Sequence, residues 1–221
     1  MSQVKKATLG LLEMNPLYWF IAFCCISLLF FYALNIFLIS ENLYFNFYAD
    51  LLSYERILEV LRVQKQWQFI SYSILPIYYL AKFTLVASCI SVGVLLTRRE
   101  ISFKTLFQIS ITAEIIFLLP SFVKLIWFGF FHQEYTLTEL QQFYPFSILN
   151  ILNVDQIAPW FLYPLQLINV FELAYWFAIA YQLKLLSGHS LSNNLSLVAS
   201  TYGVGLLLWS IVMMFIVVSV S

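Results

Sequence analysis

Five stretches of this chain, at about 18–39, 74–96, 105–131, 162–184 and 195–219, are apolar over roughly 20 residues or more. About 20 such residues in an α-helix cross the hydrocarbon core of a bilayer. Inside hydrocarbon every backbone N–H and C=O must be satisfied by the protein itself, which leaves helices and closed barrels as the spanning structures. These runs are too long for barrel strands, and they lack the polar–apolar alternation such strands carry. The sequence therefore predicts an all-α integral membrane protein, a bundle of five transmembrane helices that forms one domain over residues 1–221. Composition agrees: 62% of residues are apolar and 10% charged, whereas soluble domains carry about 25% charged residues.

The run from Tyr18 to Ile39 exceeds the ~7–15 residues of a signal-peptide core, and no small-x-small cleavage site follows it, so it is expected to stay as a span. Cys24, Cys25 and Cys89 all fall inside spans, where a thiol packs as a small hydrophobe.

Orientation follows from Lys and Arg, which concentrate in cytoplasmic loops. With the N-terminus inside, the inner segments hold Lys5, Lys6, Arg98, Arg99, Lys104 and Lys184 against Glu13 and Glu100. The outer segments hold Arg56, Arg62 and Lys65 against Glu41, Asp50, Glu55, Glu59, Glu134, Glu139 and Asp155. Net charge is zero, yet the two sides differ in sign. The expected topology is N-terminus inside and C-terminus outside.

The polar segments read as interfacial helices. Residues 4–16 form a short amphipathic stretch that ends at Asn15-Pro16, and in 50–66 Asp50 can cap a helix with Leu51, Leu58 and Leu61 on one face. Thr136 and Glu139 have the spacing of a capping box. The stretch 145–164 is too interrupted by Asn, Asp and Pro to span, and it is expected at the outer interface.

Lys82, Glu114, Lys124 and Glu172 are the ionisable residues within the five runs. At 1.5 Å per residue, Lys82, Glu114 and Glu172 each lie roughly 12–15 Å from a span end, near the midplane, while Lys124 lies about 10 Å from the outer end and can snorkel. A charge at the centre of a span is unfavourable by about 2.5–3.5 kcal/mol on insertion scales. Such residues are expected to face inward and pair, Lys82 with Glu114 first. The cluster is read either as a latch of buried ion pairs or as an ion relay or polar substrate site. Pro120, between Glu114 and Lys124, is expected to kink its helix. In the last span Ala199, Gly203 and Gly205 make a small-residue face suited to close helix packing.

Other chemistry is thin. His132 and His189 fall in loops on opposite sides, and no nucleophile–base pair, zinc spacing or phosphate loop is present. The sequence predicts no enzyme, no metal, no cofactor and no nucleic-acid partner.

"YPLQLINVFELAYWFAIAYQLKLLSGHSLSNNLSLVASTYGVGLLLW", residues 163–209, joins an Asn-Val-Phe-Glu entry to an aromatic-rich span, a Leu-Leu-Ser-Gly turn and a small-residue-rich last helix. With five spans and a long outer loop over 132–164, the chain over about 70–219 resembles the membrane domain of the Yip (Ypt/Rab-interacting) family. The Asp-Leu-Tyr-Gly-Pro motif of the eukaryotic members is absent, so the resemblance implies the bacterial branch. It implies a small non-enzymatic multi-pass protein of the cytoplasmic membrane, a scaffold or accessory whose partners are the lipid bilayer and other membrane proteins; assembly into a homo-oligomer is left open. The alternative is a transporter or permease subunit that uses Lys82, Glu114 and Glu172.

Overall fold

The computed structural model describes residues 10, 15–49, 51–152 and 156–220. The expected amphipathic stretch before Asn15 and the expected cap Asp50 lie outside the described residues. Among those residues the regular structure is helical and contains no strand, with one isolated bridge between Ser147 and Asn169.

Asn15 opens the first long helix, α1 (Pro16–Leu38), by accepting the Leu17 amide on its side chain (3.0 Å). Proline suits the first helical position because its missing N–H would have no partner there. Ser40 caps the short α2 (Glu41–Tyr48). Then α3 runs unbroken from Tyr54 to Leu96. The chain continues through α4 (Phe103–Glu114), a 3₁₀ turn (Ile115–Phe117), α5 (Leu118–Ile126) and a π-helical segment (Trp127–Phe131). A short α6 (Leu137–Gln142), a 3₁₀ turn (Ile148–Ile151), α7 (Pro159–Leu167) and α8 (Val170–Ser187) follow. The last two helices, α9 (Leu191–Val198) and α10 (Val204–Val220), are joined by a π-helical segment (Ala199–Gly203).

Among the described residues four helices are long and apolar enough to cross a membrane: Pro16–Leu38, Tyr54–Leu96, Phe103–Phe131 and Leu191–Ser219. The run expected as a fourth span, 162–184, is instead two helices parted at Ile168 and Asn169. Asn169 forces the break with its own chemistry. Its backbone is extended (φ −143°), its Oδ1 accepts the Glu172 amide (2.8 Å), and its Nδ2 donates to the Gln166 carbonyl (2.8 Å). A short amide side chain that bonds nearby backbone competes with helix continuation and favours a cap.

A second departure lies in α3. The interfacial helix expected over 50–66 and the span expected over 74–96 form a single helix of 43 residues. No helix terminator occurs before Pro76, and there the chain tolerates the loss of one N–H without ending the helix. Along its first turns Ile57 and Leu61 are buried, whereas Leu58 is 43% exposed and Leu51 precedes the helix. The inward face is thus Ile57–Leu61 and not the expected Leu51–Leu58–Leu61. Near Pro120 the departure from α-geometry is the 3₁₀ turn that immediately precedes α5. Proline at 120 leaves the Ile116 carbonyl without its usual donor, which favours tighter winding before it.

The described chain divides into two units. One comprises the chain up to Phe23, Ala81–Phe117 and the part from Phe146 onward. Its core is built on α8. Tyr175, Ile179, Ala180 and Leu183 are fully buried against Val86, Ala87, Ile90 and Val94 of α3, Leu106, Ile109 and Ala113 of α4, and Leu197 and Val198 of α9. These positions recur every three or four residues, as a helix that packs along one stripe requires. Gly188, in the left-handed region (φ 70°), ends α8, and Ser190 caps α9 on the other side of the turn. Asn194 on α9 accepts a hydrogen bond from the Arg99 guanidinium (2.6 Å), which ties this turn to the loop after α3.

The second unit comprises Cys24–Leu80 and Leu118–Pro145. Leu38, Phe128 and Leu140 form its small core, with Tyr135 and Phe143 packed edge-on to Phe128. The Tyr135 hydroxyl donates to the Leu38 carbonyl at the end of α1 (2.8 Å). The capping box of α6 is present: Thr136 Oγ1 accepts the Glu139 amide and the Glu139 carboxylate accepts the Thr136 amide.

Candidate functional site: a buried charge cluster

Lys82 lies on α3 and Glu114 at the end of α4, in the same unit. The Lys82 ammonium donates to Glu114 Oε1 and stands over the Phe117 ring, 4.6 Å from its centroid. Their exposures differ: the Lys82 side chain is 27% exposed and that of Glu114 2%. A lysine stem can reach past apolar neighbours while its head stays bonded. A carboxylate buried to this degree needs a partner held in place.

Glu172, in the first turn of α8, is also buried. Its Oε1 accepts two hydrogen bonds, from the Trp176 indole N–H (2.9 Å) and from the Tyr202 hydroxyl (2.8 Å). Its amide is already taken by Asn169, so the residue that breaks the expected span also fixes the start of the helix that carries this carboxylate. Glu172 lies within electrostatic reach of Lys82 and Glu114. Tyr175, one turn further along α8, lies within electrostatic reach of both carboxylates and is fully buried, its ring packed between Phe117 (5.2 Å) and Tyr202 (5.4 Å). Two oxygens here, Glu114 Oε2 and the Tyr175 hydroxyl, are buried without a hydrogen-bond partner among the described residues.

Lys124 is not brought to this cluster. It belongs to the other unit, half-buried on α5, with no ion-pair partner among the described residues. Its carrier helix is separated from α4 by the 3₁₀ turn, so the pair of charges in "ITAEIIFLLPSFVKLIWF" serves two different regions.

Of the small residues, Gly203 and Gly205 are positions of close approach. A Cβ at Gly203 would fall 2.7 Å from Cη2 of Trp176, and one at Gly205 would fall 2.7 Å from Cys89 Sγ. Gly203 thereby leaves room for the Trp176 ring, whose N–H donates to Glu172. Ala199 begins the π-helical segment, half-buried. Gly93, which sequence reasoning passed over, gives α3 the same closeness to Thr201 and Leu197.

Sequence reasoning also missed Tyr175, Trp176 and Tyr202. A signal for the first two exists, since residues three and four positions from Glu172 on one helix lie on its face. Tyr202 comes from a distant segment and carries no local signal. Comparison with protein-family models, with curated proteins and with solved structures finds no match to this chain.

Proposed function

We propose that this protein is a non-enzymatic scaffold or accessory protein of a bacterial cytoplasmic membrane, similar to the Yip family, that binds other membrane proteins or lipids. In this reading the chain crosses five times, with α8 as an inner crossing surrounded by its neighbours, the N-terminus inside and the C-terminus outside. An 18-residue helix is about 27 Å long, close to the hydrocarbon thickness. The reading rests on one observation: the interior charges are paired with each other and with fixed donors in a packed core. Lys82 is bonded to Glu114, and Glu172 is bonded to Trp176 and Tyr202. Groups held by partners on separate helices act as a latch that fixes how those helices meet. The helices of this unit, so fixed, then present an apolar exterior, including Leu207, Ile211 and Phe215 of α10, to lipid or to other spans.

The unpartnered oxygens of Glu114 and Tyr175 favour a second reading, a permease subunit that uses the same charges. Sealed vesicles carrying the purified protein and an entrapped pH-sensitive dye separate the two. A scaffold leaves an imposed proton or sodium gradient as stable as in protein-free vesicles. A leak through the wild type that is absent in Glu114→Gln would overturn the scaffold reading. Topology is tested with single cysteines in a background lacking Cys24, Cys25 and Cys89. His189→Cys should react with impermeant thiol reagents from the cytoplasmic side, and Gln141→Cys from the other.

A further inference from the structure

The charge cluster is not balanced. The charged groups placed in mutual electrostatic reach here are Lys82 from α3, Glu114 from α4 and Glu172 from α8, with the phenols of Tyr175 on α8 and Tyr202 on the π-helical segment beside them. With both carboxylates ionised, two negative charges face one positive charge in a core where Glu114 is 2% and Glu172 6% exposed. A buried charge left uncompensated is strongly unfavourable. The hydrogen bonding points to the place where compensation is missing. Lys82 occupies Glu114 Oε1, and Trp176 and Tyr202 occupy Glu172 Oε1. Glu114 Oε2 and the hydroxyl of the fully buried Tyr175 have no hydrogen-bond partner among the described residues.

The geometry points to one monovalent cation held in this cluster beside its two unpartnered buried oxygens, Glu114 Oε2 and the Tyr175 hydroxyl, either a proton carried on a carboxyl or an alkali ion such as sodium. The charge fits, because one positive unit neutralises the cluster and a divalent ion would overshoot it. The donor set fits as well. Carboxylate and phenol oxygens are hard ligands, and the few oxygens offered here fall short of the roughly six to eight that calcium takes. Burial of Glu114, Tyr175 and Glu172 excludes a larger ligand. A scaffold and a permease subunit would need the same neutralisation, so the test does not depend on the choice between them.

The test uses the full chain in lipid nanodiscs. Thermal midpoints are measured in sodium, potassium and choline chloride at equal ionic strength over a range of pH, together with infrared spectra in the region of the protonated carboxyl C=O stretch. An alkali ion gives a midpoint that rises and saturates with sodium relative to choline. Tyr175→Phe, which keeps the ring and removes one ligand, should then shift that response to about tenfold higher sodium, as the loss of a single contact does. A proton gives no preference for sodium and an infrared band that disappears in Glu114→Gln or Glu172→Gln. In both cases Glu172→Gln removes the surplus charge while its amide oxygen still accepts from Trp176 and Tyr202, so the dependence on the cation is lost and the fold is kept. Should the variants fail to fold, the sodium titration and the infrared band of the wild type decide by themselves. A wild type with neither response, or a response that persists unchanged in Glu172→Gln, overturns the proposal.

Discussion

Among the described residues two ion pairs join separate helices, one in each unit, and both are a lysine on α3 with a glutamate. Lys82 meets Glu114 where the side chains are 27% and 2% exposed. Lys65 meets Glu41 at 2.6 Å, where they are 67% and 60% exposed. The functional groups are the same, but the surroundings are not. The buried pair has traded hydration for a fixed partner, an aromatic face and two further carboxylate and phenol neighbours. The exposed pair keeps water and mobile ions as alternatives. Breaking a pair therefore destabilises more the less the stranded member can turn to, and matched substitutions in the two units should differ widely in size.

The largest effect is expected at Lys82. Lys82→Met leaves Glu114 and Glu172 as two carboxylates in the core with no facing ammonium. A stranded buried charge typically destabilises by about 3–5 kcal/mol. Glu114→Gln should be milder, because Lys82 keeps an amide oxygen in place and Glu172 within electrostatic reach. Adding Glu114→Gln to Lys82→Met should restore much of the loss. Midpoints for the wild type, both singles and the double, in detergent, give the coupling energy of the pair. Simple additivity of the two losses would mean that the two residues do not act on one another.

A smaller contrast lies within α3 itself. Leu61 is 6% exposed and Leu58 43%, three positions apart on one helix. Truncating a buried leucine to alanine destabilises by about 2–5 kcal/mol, and truncating an exposed one typically by no more than about 0.5 kcal/mol. Leu61→Ala should lower the thermal midpoint clearly and Leu58→Ala hardly at all. Equal losses would place both on the inner face, as the leucine spacing alone suggested.

That face shows where the sequence was legible and where it was not. Long apolar runs announced an all-helical membrane protein because hydrocarbon admits few other structures. Thr136 and Glu139 announced their capping box because its partners are three residues apart. The pairing of Lys82 and Glu114 was foreseeable from depth, since a charge in an apolar run has few places to go. The break in the run 162–184 was not visible, because an apolar window averages away one side chain, Asn169, that caps α8. The buried stripe of α3 was misplaced because the leucines at 58 and 61 and the pair Ile57 and Leu61 both satisfy helical spacing, and spacing alone does not say which of two adjacent apolar positions packs inward. Tyr202 had no local signal at all. Its hydroxyl reaches Glu172 only through the packing of the segment after α9 against α8.

The capping box offers a third, smaller test in the unit of the exposed pair. Thr136→Ala removes the side-chain acceptor of the Glu139 amide and should weaken α6 by about 1 kcal/mol. Hydrogen exchange should then show about fivefold less protection at that amide. The bonds from the Thr136 backbone amide and then its hydroxyl hold the Glu139 carboxyl below the usual carboxylate range. A lowered folded value means that this contribution is present above the ordinary carboxyl value and is lost as the pH falls through the lowered one. Protection factors corrected for intrinsic exchange should decline over that acidic window in the wild type and stay level in Glu139→Gln.

The smallest effect is expected at Lys65 and Glu41, and it completes the comparison with Lys82 and Glu114. Exposed pairs contribute about 0–1 kcal/mol, because water competes for both ions and holding two long side chains in one geometry loses entropy. Neither Lys65→Met nor Glu41→Gln strands a charge, since each remaining ion is more than half exposed. The cycle of both singles and the double should give a coupling below about 1 kcal/mol at low salt. At molar salt, where the screening length falls to about 3 Å, that coupling should vanish. The coupling between Lys82 and Glu114, shielded from mobile ions, should persist under the same conditions. A salt-resistant coupling at Lys65 and Glu41 would show that the second unit excludes water from this pair, and the contrast between the two regions would then rest on position and not on solvent.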